Sequence, residues 1–324
     1  MPPHYIALAR RRAVGPIIRR LSLPKPHIRD PRDVRLLSLL RQQRGSQEAQ
    51  VGLLALPYDG ASLGRKGASE GPKALLEALR FFSSYSPPDV DLRALSIHVF
   101  GEAALQGKGV REAHRIARRA ALQVLRLSRV GLFLGGDHSL TYPCFAALLS
   151  LEPRAPALVY FDAHLDLRRG PPSSGNGIGR ALALARGRVA AVNVGARPFS
   201  TAQAYFRRAR ELGLTVITSQ RAMELGEGLA EELLRLISGA DALYISVDAD
   251  VLDAPYAPGV SSPGISGFTP LALGRCLFEL ARRCPLRAVD FCELAPRLDP
   301  SGVTALSLAH ALAWLLAGLA QKLT

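Results

Sequence analysis

Seven short apolar runs punctuate the chain: VGLLALP at 51–57, VGLFLGG at 130–136, ALVYFDA at 157–163, VAAVNVG at 189–195, LTVITS at 214–219, ALYISVD at 242–248 and LRAVDFC at 286–292. Each is rich in branched and aromatic residues and too short for a buried helix, and most are apolar at consecutive positions, the mark of a strand covered on both faces. Between them lie segments with the apolar period of a helix: GPKALLEALRFF, with Pro72 at its start, GVREAHRIARRAALQVLRLS, TAQAYFRRARELG, EGLAEELLRLISG and LALGRCLFELARR. The alternation predicts repeated βα units, hence an α/β fold with a mostly parallel sheet covered by helices on both sides. No composition break divides the rhythm, so one domain is expected over 45–324, after a leader over 1–44. Loops rich in Gly, Pro and Ser follow several strands, at YDGASLGRKGASEGP, RRGPPSSGNGIG and APYAPGVSSPGISG. In open parallel sheets ligands bind in the loops beyond the carboxyl ends of the strands.

Composition adds two constraints. The 324 residues are 48% hydrophobic, ample for a packed core, while the expected absence of a membrane-length apolar run or a secretory signal reads as a soluble, cytoplasmic protein. The formal net charge of +14 is mostly diffuse, as in REAHRIARRA, and is concentrated only before Asp30, in MPPHYIALARRRAVGPIIRRLSLPKPHIR. Interleaved apolar residues there favour a docked segment with a solvated arginine face over a nucleic-acid arm or transit peptide, and no nucleic-acid or membrane partner is expected. Cys144, Cys276, Cys284 and Cys292 form no C-x-x-C pair and read as buried free thiols. GASLGRKGA lacks the spacing of a phosphate-binding loop and reads as a shaping turn; Asp253 and Asp299 read as turn formers or caps.

The candidate chemistry sits at the strand ends. FDAHLD places Asp162, His164 and Asp166 at alternate positions after an apolar run, which in an extended chain puts all three on one side. Asp248 and Asp250 end another strand in SVDADVLDAPYAPG, and GLFLGGDHS ends a third with Asp137 and His138 beside a glycine pair that lets backbones approach. Such an acid cluster is self-repelling unless cations compensate it. Carboxylates with imidazoles and no cysteine favour a hard metal such as Mn2+, and two such ions can share a bridging hydroxide, a strong nucleophile near neutral pH.

GGDHS (135–139), DAHLD (162–166) and SVDADVLDAPYAPG (246–259) together resemble the ureohydrolase superfamily of arginases, agmatinases and formimidoylglutamases. The resemblance spans about 50–320 and implies an arginase-like three-layer α/β/α fold, two Mn2+ ions, a ring-like trimer or hexamer, and hydrolysis of a C–N bond in a small amidino or guanidino substrate. It implies metal ligation by His138, Asp162, His164, Asp166, Asp248 and Asp250, with Asp166 or a neighbouring carboxylate also accepting a proton from the bridging water. Glu293, in DFCELAP, matches the segment whose Glu pairs with the substrate's cationic head. Arginases and agmatinases carry a further histidine shortly after DAHxD; here none occurs between His164 and His310. DLRR, PSSG and GARPFS resemble formimidoylglutamases instead, though Asn176, Gly177 and Ile178 replace their usual T-P-F. N-formimidoyl-L-glutamate carries two carboxylates, so Arg168 and Arg197 are expected as its anchors, with Ser174 and Asn176 as further contacts. The expected reaction yields L-glutamate and formamide, as in histidine breakdown; the alternative is a guanidino-compound hydrolase of the agmatinase, arginase or guanidinobutyrase kind.

Overall fold

The computed structural model describes residues 17–25, 30, 32–86 and 89–323. All seven foreseen strands form and, with one more, make the parallel body of the sheet, to which shorter strands add: β1 Ala49–Leu56, β2 Ile97–Ala103, β3 Ser128–Gly135, β4 Pro156–Phe161, β5 Ala190–Ala196, β6 Leu214–Thr218, β7 Ala242–Asp248 and β8 Leu286–Cys292. They pair in parallel in the order β2-β1-β3-β8-β7-β4-β5-β6. Every residue of β4 and β7 is buried, as the unbroken apolar runs require of strands covered on both faces. β2 escapes the hydrophobic reading because His98, Gly101 and Glu102 interrupt it, which a strand near the sheet edge tolerates.

The described helices are α1 Gly71–Ala78, α2 Val110–Leu127, α3 Thr141–Leu149, α4 Gly177–Ala185, α5 Gln203–Glu211, α6 Ser219–Leu225, α7 Leu229–Leu236, α8 Pro270–Arg283 and α9 Val303–Leu323. Helices α2 to α5 pack on one face of the sheet, and α1 with α6 to α9 on the other, giving two cores and three layers. Thr269 caps α8 by accepting from the Ala272 amide, and Pro270 fills its first turn, where no amide partner is needed. All four cysteines are free and buried.

Two expectations need correcting. The 44/45 boundary does not part a leader from a domain: Ile18–Arg19 pairs antiparallel and Leu40–Gln42 parallel with β2, and Leu36 and Leu37 are buried. The apolar residues between the arginines dock this segment, while leader residues 1–16, 26–29 and 31 lie outside the described set. The second concerns α9, whose 21 residues are long and apolar enough to cross a bilayer, contrary to the sequence reading. Its side chains instead fill the core beneath α8, with Leu308, Leu312 and Leu315 buried.

Candidate metal centre

Four adjacent strands, β3, β8, β7 and β4, end at one place, and each delivers acidic or imidazole side chains just beyond its last residue. After β3, Gly136 lies against Tyr58, where an added Cβ would sit 1.8 Å from the Tyr58 carbonyl oxygen; only glycine permits this approach. Asp137 then fastens the same loop by accepting from the Ala61 amide, and His138 enters the cluster. After β4 the chain is not extended as the alternation in FDAHLD had suggested. Asp166 has φ +48°, a left-handed conformation that Asp accommodates more readily than most residues. Asn193 on β5 shapes this turn by donating to the carbonyls of His164 (3.0 Å) and Asp162 (3.4 Å). The three side chains converge because a turn folds them together.

The convergence has two halves. His138 Nδ1 lies 2.9 Å from Asp166 Oδ2, 3.1 Å from Asp162 Oδ2 and 3.3 Å from Asp248 Oδ2. His164 Nδ1 lies 3.0 Å from Asp250 Oδ2 and 3.5 Å from Asp162 Oδ1. Asp162 therefore presents one oxygen to each half, and donor triplets of cation-binding size form around His138, Asp162 and Asp166 and around Asp162, His164 and Asp250. Buried His138 Nδ1 and Asp162 Oδ2 have no hydrogen-bond partner, the condition of atoms shaped to meet a cation. Oxygen-rich donors with two imidazoles suit hard divalent ions.

The titration of the cluster shows the strain of packing like charges. Burial, the Asp250 charge and the Asp162 charge push Asp248 well above the usual carboxylate range. Burial and the Asp162 charge push Asp166 up to about 6. Against the cost of burial, His138 and His164 hold Asp162 below that range. Asp250 and Asp162, outweighing burial, push His164 up to about 12. Divalent cations would replace the protons that otherwise hold this set together.

Behind His138 stands a polar chain that the apolar reading of the strands passed over. His138 Nε2 meets Ser246 Oγ at 3.0 Å, Ser246 donates to Asp290 Oδ1 at 2.6 Å, and the Tyr244 hydroxyl donates to Asp290 Oδ2 at 2.6 Å. Such chains fix the ring so that the other nitrogen faces the metal. Their signal was a polar residue inside an otherwise apolar strand: Ser246 in ALYISVD, Asp290 in LRAVDFC and, on the other side of the cluster, Asn193 in VAAVNVG.

A cavity of about 590 Å³ opens above the cluster, with His138, His164, Asp166, Asp248, Asp250 and Glu293 in its floor. Glu293 is buried, has φ +63°, and accepts from the His138 amide at 2.8 Å. Burial, with the Asp137 charge beside it, pushes its carboxyl up to about 8. Arg168 and Ser174 line the wall; the Arg168 guanidinium lies 5.9 Å from the Tyr205 ring centroid, and Ser174 Oγ accepts from the Leu63 amide. Leu63 and Gly64 line the same wall, so the shaping turn also borders the cavity. The imidazoles of the lining are His138 and His164 alone among the described residues; His310 lies on α9 and accepts from Trp314 Nε1.

Two expected substrate contacts are not there. Arg197 is buried, its guanidinium donating to the carbonyls of Asp250 and Leu252. It braces the Asp250 loop and does not line the cavity. Asn176 is buried in a capping box, accepting from the Ser173 amide and donating to the Pro171 carbonyl. Asp253 and Asp299 are loop and cap residues as expected: Asp253 accepts from the Gly267 amide, and Asp299 from Ser301, Gly302 and Thr304.

Known proteins share this sequence pattern and this fold. The sequence profile of the arginase family matches residues 49–318. A formimidoylglutamase of Halobacterium salinarum is 33% identical over 302 residues, covering 90% of this chain and 96% of that one. The crystal structure of formimidoylglutamase from Bacillus subtilis has a TM-score of 0.85 at 25% identity, over 93% of this chain and 97% of that one. That of Trypanosoma cruzi formiminoglutamase with Mn2+ has a TM-score of 0.81 at 23% identity, over 90% and 99%, a likeness of fold.

Proposed function

Because the chain belongs to the arginase family, we propose that it is a hydrolase of an amidine C–N bond, converting N-formimidoyl-L-glutamate and water to L-glutamate and formamide with two Mn2+ ions. The observation that carries the reading is the pair of donor groups sharing Asp162, set in the floor of a cavity whose wall bears the Arg168 guanidinium. When bound, the two ions supply the Lewis acidity that brings the pKa of water down to about 7. His138, Asp162, Asp166 and Asp248 would hold one; His164 and Asp250, with Asp162 again, would hold the other.

The remaining steps belong to side chains. Glu293, poised near neutrality, pairs with the amidinium and sets its carbon over the floor. Arg168 takes a substrate carboxylate, and Ser174 offers a hydroxyl beside it. Asp166 accepts the proton from the attacking water and can return it to the departing glutamate nitrogen, a role its place in the cavity floor allows. An amidine lacks the third nitrogen of a guanidine, which fits a lining without a third imidazole. Buried free cysteines suit a reducing compartment, and the reading places the enzyme in the cytoplasm, in histidine breakdown, as a homo-oligomer.

The test is release of glutamate from N-formimidoyl-L-glutamate by Mn2+-loaded protein, beside arginine, agmatine and guanidinobutyrate. Selective turnover of the formimidoyl compound is expected. Turnover of a guanidino compound alone would retain the metal chemistry and remove the role given to Arg168.

A further inference from the structure

We propose that Cys292 is an additional, sulfur donor to the His138 half of the centre, so that a thiophilic divalent cation such as Co2+ or Zn2+ gains a thiolate ligand there. The proposal rests on the reading of this cluster as a metal centre. Cys292 is the last residue of β8 and lies in register with Asp248 on β7, so the two side chains stand next to each other beneath His138. The sulfur, a ring nitrogen of His138 and a carboxylate oxygen of Asp248 all lie within 4.8 Å of one another, the spacing of ligands around one ion. All three residues are buried, and His138 Nδ1 has no hydrogen-bond partner. The thiol donates to the Val247 carbonyl at 3.5 Å, a weak bond for a cation to displace. Among the described residues, neither Cys144, Cys276 nor Cys284 belongs to such a donor group.

Mn2+ makes little use of a soft donor, whereas Co2+ and Zn2+ bind thiolates strongly. On coordination the S–H bond breaks, a sulfur–metal bond forms and the proton passes to solvent. The sulfur thus tells metals apart at a site whose other donors are oxygen and imidazole.

The experiment is Co2+ titration of the full chain, followed by the near-ultraviolet sulfur-to-cobalt charge-transfer band. A band is expected that is lost in Cys292→Ser and kept in Cys144→Ser. Zn2+ affinity in Cys292→Ser should fall by more than the roughly 10–100-fold that follows loss of an outer partner. Co2+ binding to the unaltered chain without a band overturns the proposal whatever the variants do, as does a band that survives Cys292→Ser. Turnover with Mn2+ but no cobalt band would sink this proposal alone; a band without turnover of N-formimidoyl-L-glutamate would sink the substrate reading alone.

Discussion

The floor and the wall of the cavity are built differently. The floor residues sit directly beyond four neighbouring strands, nearly all of them buried, and several are held by backbone or by a second polar residue: Asp248 by the Asp250 amide, Asp250 by the Ala163 amide, His138 by Ser246. The wall residues Arg168, Ser174 and Tyr205 come from loops and a helix start, and Arg168 is exposed. A site that holds charged ions needs rigid, desolvated donors, while one that admits and releases a flexible dicarboxylate tolerates looser walls. On the proposed reading, the contrast assigns the reaction to strand ends and the choice of substrate to loops.

The largest expected effect falls at the floor's shared residue. Asp162→Ala removes an oxygen donor from both halves at once, and kcat should drop by at least ~10³-fold, equivalent to about 4 kcal/mol, with bound manganese falling in step. A mutant that kept both ions and half its activity would dissolve the distinction between floor and wall. One layer further back, Asp290→Asn should weaken Mn2+ affinity by roughly 10–100-fold, because Ser246 and through it His138 lose their anchor. Equilibrium dialysis measures this.

At the wall, Arg168→Ala should raise KM for N-formimidoyl-L-glutamate by about 10–100-fold, the worth of a charge-assisted contact of roughly 1.5–3 kcal/mol, with kcat little changed. Arg197→Ala should do the reverse, lowering metal retention through the Asp250 loop while leaving KM nearly intact. If the two arginines exchanged these effects, the assignment of one to the wall and the other to the brace would be wrong.

The smallest effect expected is a pH dependence confined to the floor. Asp166 and Glu293 have carboxyls raised by burial to about 6 and about 8, so the metal-free native state binds more protons than the unfolded chain. Its stability therefore falls as pH rises from about 4 through those values. His164, raised to about 12, contributes stability that is complete below about 6.5 and declines above it, a change in the same direction. Mn2+ takes over from these protons, so the rise in melting temperature on adding it should be greater at pH 8 than at pH 6. At this chain size each kcal/mol corresponds to about 2 °C. Equal rises at both pH values would show that the metal does not compete with these protons.

The floor was legible in the sequence for the same reason that it is rigid. Asp162, His164, Asp166, Asp248, Asp250 and His138 follow apolar runs that read as strands, so their gathering at one end of the sheet was set, although His164 and Asp166 reach it through a turn and not an extended chain. The supports behind them were not, because Ser246, Asp290 and Asn193 each show as one polar letter in an apolar run, and strand pairing decides which partner each meets. The wall was read least well. Arg197 and Asn176 carry the right chemistry in the right loops, but whether a guanidinium faces a ligand or its own backbone depends on packing that spacing does not encode. β2 and α9 were missed through composition: the one carries polar residues on a near-edge strand, the other is uniformly apolar because it is core.

The most direct test of the account is the manganese content of the unaltered chain, measured by equilibrium dialysis at pH 8 as ions per chain. Two ions per chain are expected, one for each half that meets at Asp162. Saturation at one ion, or none, would contradict the dinuclear floor on which the proposed chemistry rests.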